Sequence, residues 1–342
     1  MKYSFIFFCM ILMTDALGFS KDSSIMYPVP DSIKVIGFLT RVHAKSVHPK
    51  KENNIGIKAD EVSLFMEADK KEKEIELEFP EDAVVVATGV DVKQEKGELV
   101  WNFNWNLNED YQLMLSTATD SAANFILYSG YVYFPSANKW KLIGTCKISG
   151  RWGTVKTIST FYTNNKLLAT QFNRVWLQRN NGSWKNLLNE PASPPVINPM
   201  SNIDSTAQAT KDEATIQQLI KENKTDAVNL HESVYYTILK EGTGRQVKVT
   251  DTVTVFYKGS LLIDGSVFDQ TKEKPATFPL ARLIKGWQIG VPLLKVGGKI
   301  KIIIPSGLSY GIRTRAAKIP PNSILVFEVE VVEAKLSRGQ RY

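Results

Sequence analysis

The stretch ARLIKGWQIG (281–290) places the largest apolar side chain, Trp287, between Gly286 and Gly290, just ahead of Pro292. Each glycine in a helix interior costs about 1 kcal/mol relative to alanine, so helix stability does not explain this arrangement. A tryptophan held in a short, glycine-flanked segment is suited to contact an apolar group of a ligand. We therefore interpret Trp287 as the candidate floor of a binding pocket.

Side chains that break covalent bonds or hold metals are sparse in the sequence. His43, His48 and His231 show no ligand spacing, and the sequence has no cluster of cysteine and histidine residues. It also has no nucleophile motif and no pair of carboxylates in a catalytic context. We therefore predict no metal site and no cofactor.

Three alternating segments could position such a pocket. The segment TVTVFYKGSLLIDGSVFD (252–269) begins as a strand. The segments GGKIKIIIPS (297–306) and ILVFEVEVVEA (324–334) each place apolar side chains on one face and charged side chains on the other. Together they predict a curved antiparallel sheet wrapped around the short helix that contains Trp287, a small α+β domain.

Seven sequence blocks carry a family resemblance through their order and spacing: VFYKG, GSVFD, IKGWQIGV, KVGGK, PSGLSYG, IPPNS and LVFEVE. From about Tyr235 to Ala334 the chain resembles an FKBP-type peptidyl-prolyl cis–trans isomerase. The resemblance implies the FKBP-like fold, with the tryptophan as the floor of a proline-binding pocket. It also implies proline-containing proteins or peptides as substrates, and no cofactor.

The resemblance assigns roles to individual residues of this sequence. Three residues are implied to be catalytic: Tyr257, Asp269 and Tyr310. Seven residues are implied to bind the substrate: Phe268, Phe278, Leu283, Ile284, Trp287, Ile319 and Phe327. In this assignment Tyr310 and the Ile284 N–H donate hydrogen bonds to the substrate, and Asp269 orients polar groups without transferring a proton.

These residue types suit rotation about an X-Pro bond. The barrier is about 18–20 kcal/mol, because resonance gives the C–N bond double-bond character. The planar amide has more charge separation than the twisted one, so an apolar aromatic box favours the twisted form by replacing water. A barrier lower by roughly 5 kcal/mol would accelerate rotation several thousandfold.

Two departures from the family pattern bear on the site. Phe256 stands where many relatives have histidine before the tyrosine, and we expect it to alter only the support of the site. The loop GIRTRAAKIPPNS (311–323) carries Arg313, Arg315 and Lys318 and lacks the glycines common there. A basic rim beside the pocket would favour substrates with acidic residues next to the proline.

The first region, 27–188, is predicted to be a β-sandwich of jelly-roll-like type. Its alternating segments, such as EIELEFP (74–80) with its glutamates on one face, are separated by Asn, Gly, Pro and Ser. The region also resembles a domain of unknown function from secreted bacterial proteins. Two interpretations of Trp101 and Trp105 stay open, namely core packing and an aromatic platform for a glycan or envelope partner.

The proline-rich segment 189–211 is predicted to be a linker between two domains. Residues 212–233 are predicted to form a connector helix and loop, because DEATIQQLIKENK contains a short apolar stripe at helical spacing. The isomerase domain is then expected at 234–337.

Residues 1–18 are predicted to be a signal peptide, with Lys2 at its charged start and an apolar run too short for a comfortable membrane span. Cleavage after Gly18 would remove Cys9 and leave only Cys146, so the mature monomer would form no disulfide. The alternative is an uncleaved membrane anchor. We expect export to the periplasm or cell surface of a bacterium, with membrane contact only through the transient signal peptide.

Composition and charge narrow the function classes. The 342 residues include 43% apolar and 23% charged residues, an ordinary globular balance, with a net charge of +7. The lysines of 67–76 alternate with glutamates as on a solvated face, so we predict no nucleic-acid partner. We expect an exported prolyl isomerase that assists the folding of envelope proteins. The alternatives are a chaperone that binds proline segments without turnover and a protein that binds glycans through its β-sandwich.

Overall fold

The computed structural model describes residues 23–336 except 31, 49, 70, 121, 151–154, 164–169, 189–192, 194 and 196–200. The chain divides into two compact units, Met1–Ile197 and Asn198–Tyr342. The predicted signal peptide at 1–18 lies outside the described residues, as does most of the first half of the predicted linker. Among the described helices none is long and apolar enough to cross a membrane.

The described part of the N-terminal unit forms two seven-stranded antiparallel sheets. The first seven strands are β1 (Ser23–Pro28), β2 (Val35–Ala44), β3 (Asn53–Ala59), β4 (Val62–Ala68), β5 (Lys73–Glu78), β6 (Val84–Thr88) and β7 (Lys93–Glu95). The next seven are β8 (Glu98–Asn102), β9 (Asp110–Asp120), β10 (Phe125–Phe134), β11 (Lys139–Ser149), β12 (Thr157–Tyr162), β13 (Thr170–Arg179) and β14 (Trp184–Asn186). The first sheet has the order β1-β12-β3-β4-β5-β8-β7, and the second has β14-β13-β2-β9-β10-β11-β6.

These two sheets pack face to face on one apolar core, so the predicted β-sandwich is confirmed. The alternation of β5 buries Ile75 and Leu77 against residues of the second sheet. The approach is so close that a Cβ atom on Gly130 of β10 would lie 2.9 Å from Leu77 Cδ1. The free Cys146 lies in the same core, and its burial raises the pKa of the thiol to about 12.

The two tryptophans with open interpretations belong to this core. Trp105 is fully buried, and its indole N–H donates a hydrogen bond of 2.8 Å to the Glu67 carbonyl. Trp101 is half-buried, packs against the core and stacks on Phe103 with ring centres 4.4 Å apart. Core packing is therefore the interpretation that holds for Trp105.

The part of the C-terminal unit that the structure describes contains one antiparallel sheet and two α-helices. Its helices are α1 (Ser205–Lys221) and α2 (Lys285–Gly290), with 3-10 turns at Leu280–Arg282, Val291–Leu293 and Ser306–Leu308. Its strands are β15 (Asn229–His231), β16 (Val234–Lys240), β17 (Asp251–Leu261), β18 (Val267–Gln270), β19 (Ala276–Pro279), β20 (Lys299–Ile304) and β21 (Leu325–Leu336). The sheet order is β15-β16-β20-β21-β17-β18, and β19 pairs with β17. The predicted FKBP-like arrangement of a sheet packed on a short helix is confirmed.

Helix α2 lies directly on strand β20 because its glycines have no side chains. A Cβ atom on Gly286 would lie 2.6 Å from Ile304 Cδ1, and one on Gly290 would lie 2.9 Å from Ile302 Cγ2. Neither distance is possible for a real side chain, so alanine would push the helix away from the strand. The close approach explains both glycines. Trp287, which lies between them in the sequence, is buried, with 4% of its surface exposed.

Helix α1 begins at Ser205, earlier than the connector helix predicted at 212–233. Its first turns therefore lie in the segment predicted to be a linker. The sequence STAQATKDEATIQQLIK contains neither proline nor glycine, so nothing in it ends the helix. The buried face carries Gln208, Asp212 and Ile216 at intervals of four residues, and two of these three are polar. An apolar stripe alone could not reveal that face.

Candidate active site

Strand β17 is the element from which the site is built. Its alternation buries Val253 and Val255 and carries Tyr257 on the same face. The register pairs Gly259 of β17 with Phe327 of β21 on one side and with Asp269 of β18 on the other. Three strands of one sheet therefore bring the aromatic and acidic residues of the predicted site together.

Five aromatic rings form one connected cluster. The ring centre of Trp287 lies 5.2 Å from that of Phe327 and 5.6 Å from that of Tyr257, and both pairs are nearly perpendicular. Phe268 lies 5.5 Å from Phe327, and Phe278 lies 6.0 Å from Tyr257. These are the edge-to-face distances that aromatic pairs favour, so the rings hold one another in fixed orientations.

Exposure differs between the base and the sides of this cluster. Trp287, Phe327 and Ile319 are buried. The remaining apolar members and the second tyrosine are half-buried, and all pack against the same core: Tyr257, Phe268, Phe278, Leu283, Ile284 and Tyr310. We refer to this cluster as the hollow: its buried members are the candidate floor and its half-buried members are the candidate walls. The structure thus brings together nine of the ten predicted site residues through apolar contacts.

The tenth residue, Asp269, joins the cluster through a hydrogen bond. The Tyr257 hydroxyl donates to Asp269 Oδ2 over 2.7 Å. Burial, followed by this bond to the carboxylate, raises the pKa of Tyr257 well above its ordinary value of 10. The Tyr257 backbone is fixed in turn by Thr271, whose Oγ1 accepts from the Tyr257 N–H at 2.8 Å. Tyr257 is therefore a rigid, neutral phenol near pH 7.

Two donors beside the aromatic rings have no acceptor among the residues that the structure describes. The Tyr310 hydroxyl makes no hydrogen bond with any residue that the structure describes, although the ring is near enough to Tyr257 to influence its pKa. The N–H of Ile284, the residue that precedes α2, likewise has no acceptor among the described residues. Both groups are available to a ligand carbonyl.

Gly259 belongs to the site but was not assigned a role from the sequence. A Cβ atom there would lie 2.7 Å from ring atoms of both Phe268 and Phe327. The two rings therefore lie directly against the backbone of β17. The available signal was a glycine in the interior of an otherwise regular strand, which often marks a close approach.

The loop that borders the hollow carries exposed basic residues. Arg313, Arg315 and Lys318 are exposed, and the guanidinium of Arg315 lies 5.8 Å from the centre of the Tyr310 ring. The ends of the loop are joined by a hydrogen bond of 2.8 Å from the Asn322 N–H to the Gly311 carbonyl. A basic rim is therefore present beside Tyr310.

A second polar cluster lies in the N-terminal unit, on strands β4 and β5. The carboxylates of Glu67, Glu74 and Glu76 lie within 4.8 Å of one another, beside a cavity of about 400 Å³. The sequence predicted a solvated face here, but Glu76 is only 7% exposed. Its burial, together with the adjacent Glu67, raises the pKa of Glu76 from the ordinary 4.5 to about 9. We therefore treat Glu76 as a protonated residue at neutral pH.

Comparison with known proteins concerns the C-terminal unit. Residues 243–332 match the family model described as FKBP-type peptidyl-prolyl cis-trans isomerase. A probable FKBP-type peptidyl-prolyl cis-trans isomerase FkpA of Neisseria meningitidis serogroup B is 45% identical over 134 residues, which are 38% of this chain and 47% of that relative. The chain thus spans about half the length of the curated relatives that it matches.

Two solved structures resemble the same part of the chain. The crystal structure of FkpA from Escherichia coli has 39% identity and a TM-score of 0.33, and the match covers 39% of this chain and 63% of that one. The crystal structure of a peptidyl-prolyl cis-trans isomerase from Pseudomonas syringae pv. tomato has 27% identity and a TM-score of 0.34, with 42% and 99% covered.

Proposed function

We propose that the protein catalyses rotation about X-Pro bonds in other proteins, because residues 243–332 match the model of the FKBP-type peptidyl-prolyl cis-trans isomerase family. The observation that carries the proposal is the cluster of five aromatic rings. It adjoins a hydrogen-bonded tyrosine–aspartate pair and two donors that have no acceptor in the described part of the chain.

Binding of the proline ring is the first step. The indole of Trp287 forms the buried floor on which a pyrrolidine ring can pack, and Phe268 and Phe278 are accessible walls. Burial of apolar surface contributes roughly 25 cal/mol per Å² to the binding free energy. Contact with these rings therefore binds a proline ring without any charged contact. The substrate amide is then surrounded by apolar groups.

Rotation of the amide is the second step, and no covalent bond forms or breaks. The twisted amide has less charge separation than the planar one, so loss of water around it lowers the barrier. The Tyr310 hydroxyl and the Ile284 N–H donate to substrate carbonyls and hold the peptide while it twists. Tyr257 keeps its proton because its pKa is raised, so the Tyr257–Asp269 pair orients groups and does not transfer a proton.

The setting and the clients are part of the proposal. The signal-like residues 1–18 support export. The single cysteine that would remain after cleavage fits a bacterial periplasm better than a disulfide-rich animal secretion, and envelope proteins would then be the substrates. A chaperone that holds proline segments without turnover is the alternative use of the same hollow. The glycan-binding alternative receives no support from Trp105, which is buried in the sandwich core.

A protease-coupled assay with an X-Pro peptide tests the proposal. We expect the mature chain to accelerate isomerisation, and Asp269→Val to lower kcat/KM by about tenfold or more, since a tenfold loss corresponds to about 1.4 kcal/mol of transition-state stabilisation. Glu333→Val is the matched control, because Glu333 is an exposed carboxylate on β21 whose ion pair in the described structure is with the exposed Lys335. Peptide binding without acceleration by the wild type would favour the chaperone alternative.

A further inference from the structure

Helix α1 is attached to the isomerase domain through a buried carboxylate. Asp212 is 2% exposed, and its Oδ2 accepts two hydrogen bonds from Ser306, one from the N–H over 2.8 Å and one from the hydroxyl over 2.6 Å. Its Oδ1 accepts a third bond of 2.7 Å from Gln208 Nε2, one turn earlier in the helix. Both oxygens of the carboxylate are therefore engaged.

Ser306 in turn holds both neighbours of Tyr310. The Ser306 carbonyl accepts from the Ser309 N–H at 3.0 Å and from the Gly311 N–H at 2.9 Å. The Ser309 hydroxyl donates to the same carbonyl at 3.0 Å. Because the residues on each side of Tyr310 bond to one carbonyl, the position of Ser306 determines where the Tyr310 backbone lies.

A buried carboxylate is an unfavourable way to attach a helix. Burial raises the pKa of Asp212, while its bonds to Ser306 and Gln208 lower it, so the hydrogen bonds offset only part of the desolvation. An apolar side chain at this position would pack the helix without that penalty. A carboxylate that accepts two bonds from one residue instead fixes direction and distance, which apolar contacts do not.

We propose that Asp212 is a positioning residue for the isomerase site: it fixes Ser306, and through Ser306 it places the Tyr310 hydroxyl toward the hollow. The inference rests on the proposed function. It makes helix α1 a part of the active domain and not only a connector between two domains.

Three variants of the mature chain separate positioning from attachment of the helix. Asp212→Ala removes the acceptor for Ser306. Asp212→Asn retains an acceptor for Ser306, and its amide can donate to Gln208 Oε1, a buried atom with no partner among the described residues. Tyr235→Phe weakens the same helix elsewhere, because the Tyr235 hydroxyl bonds to Glu213 and Gln217 of α1.

We expect Asp212→Ala to lower kcat for an X-Pro peptide about tenfold, with KM changed less than about threefold, because the donor is misplaced during rotation and the apolar floor is intact. Asp212→Asn should retain kcat within about threefold of the wild type. Tyr235→Phe should keep kcat although its unfolding midpoint in urea falls. Equal kcat in Asp212→Ala and Tyr235→Phe would overturn the inference.

A second measurement decides the inference independently of catalysis. The ring resonances of Tyr310, assigned by their loss in Tyr310→Phe, should shift and broaden in Asp212→Ala and stay in place in Tyr235→Phe. Unchanged Tyr310 resonances in Asp212→Ala would overturn the inference. A wild type with no acceleration would instead contradict the proposed function, and the Tyr310 resonances would still decide whether Asp212 positions the ring.

Discussion

Gly259 is the residue at which the backbone and the aromatic walls of the hollow meet. Its missing Cβ allows Phe268 and Phe327 to lie against β17 and to contact each other edge to face, 5.5 Å apart. These two rings also limit the space above Trp287, whose ring centre lies 5.2 Å from that of Phe327. The absence of one methyl group thus sets the shape of the hollow.

We expect Gly259→Ala to raise KM for an X-Pro peptide several-fold and to lower the free energy of unfolding by roughly 1–3 kcal/mol, because the added methyl displaces two packed rings. Steady-state kinetics and urea denaturation would measure the two effects. Gly307→Ala is the control for stability, since a Cβ atom there has no neighbour within 4 Å. Equal losses of stability in the two variants would contradict this account.

Sequence patterns located the aromatic residues of the site but not all of its supporting residues. The rings and Asp269 are recognisable because they stand in short motif blocks at fixed spacing. Gly259 contributes by having no Cβ atom. Asp212 contributes by accepting a hydrogen bond from Ser306, which lies 94 residues later in the sequence. A glycine inside a strand indicates a close approach without naming the partner, and the contact of Asp212 with Ser306 leaves no local pattern, so the structure was needed to identify both contacts.

The packing of α2 on β20 explains why a segment of low helix propensity occurs beside the hollow. Glycines at 286 and 290 weaken the helix, but they allow its backbone to lie against Ile302 and Ile304. Trp287 thereby lies on a helix that packs against the buried isoleucines of β20. The rigidity of the floor depends on that contact.

A double-mutant cycle tests this packing. We expect Gly286→Ala to cost roughly 1–3 kcal/mol of stability through overpacking, and Ile304→Ala to cost roughly 2–4 kcal/mol through a cavity. In the double variant the alanine methyl can occupy part of that cavity, so the summed cost should fall by about 1 kcal/mol or more. Urea denaturation of all four proteins gives the coupling, and strictly additive costs would argue against the contact.

Strand elements were predictable and the start of α1 was not, for a physical reason. Alternation identifies strands such as β5 and β20 because one face of each is apolar and buried. Helix α1 instead buries Gln208 and Asp212, which are joined by a hydrogen bond from Gln208 Nε2 to Asp212 Oδ1. A polar residue with a partner is buried as readily as an apolar one, and the sequence does not reveal the partner.

At the scale of the whole molecule, stability should depend on pH through the N-terminal unit. The pKa of Glu76 is raised from 4.5 to about 9 by burial and by the neighbouring Glu67. The folded state therefore keeps a proton that the unfolded state releases above pH 4.5. The stabilising contribution is complete below that pH and is lost progressively as the pH rises toward 9.

We expect Glu76→Gln to remove most of this dependence. For the wild type, the free energy of unfolding of the N-terminal unit should fall by roughly 1–3 kcal/mol between pH 5 and pH 8, since each pH unit contributes at most about 1.4 kcal/mol. Calorimetric scans at several pH values would measure the change. Glu78→Gln on the same strand is the control, because Glu78 is exposed. A wild type whose stability rises over this range would contradict the assignment.

The buried thiol of Cys146 has a practical consequence. With a pKa of about 12, only about one thiol in 10⁵ is ionised at pH 7, and that one is enclosed between two sheets. Maleimide reagents react with the ionised thiol, so they would not label Cys146 in the folded mature chain. A single cysteine placed on the surface could therefore carry a fluorophore or spin label at one known position, without any need to replace the native sulfur.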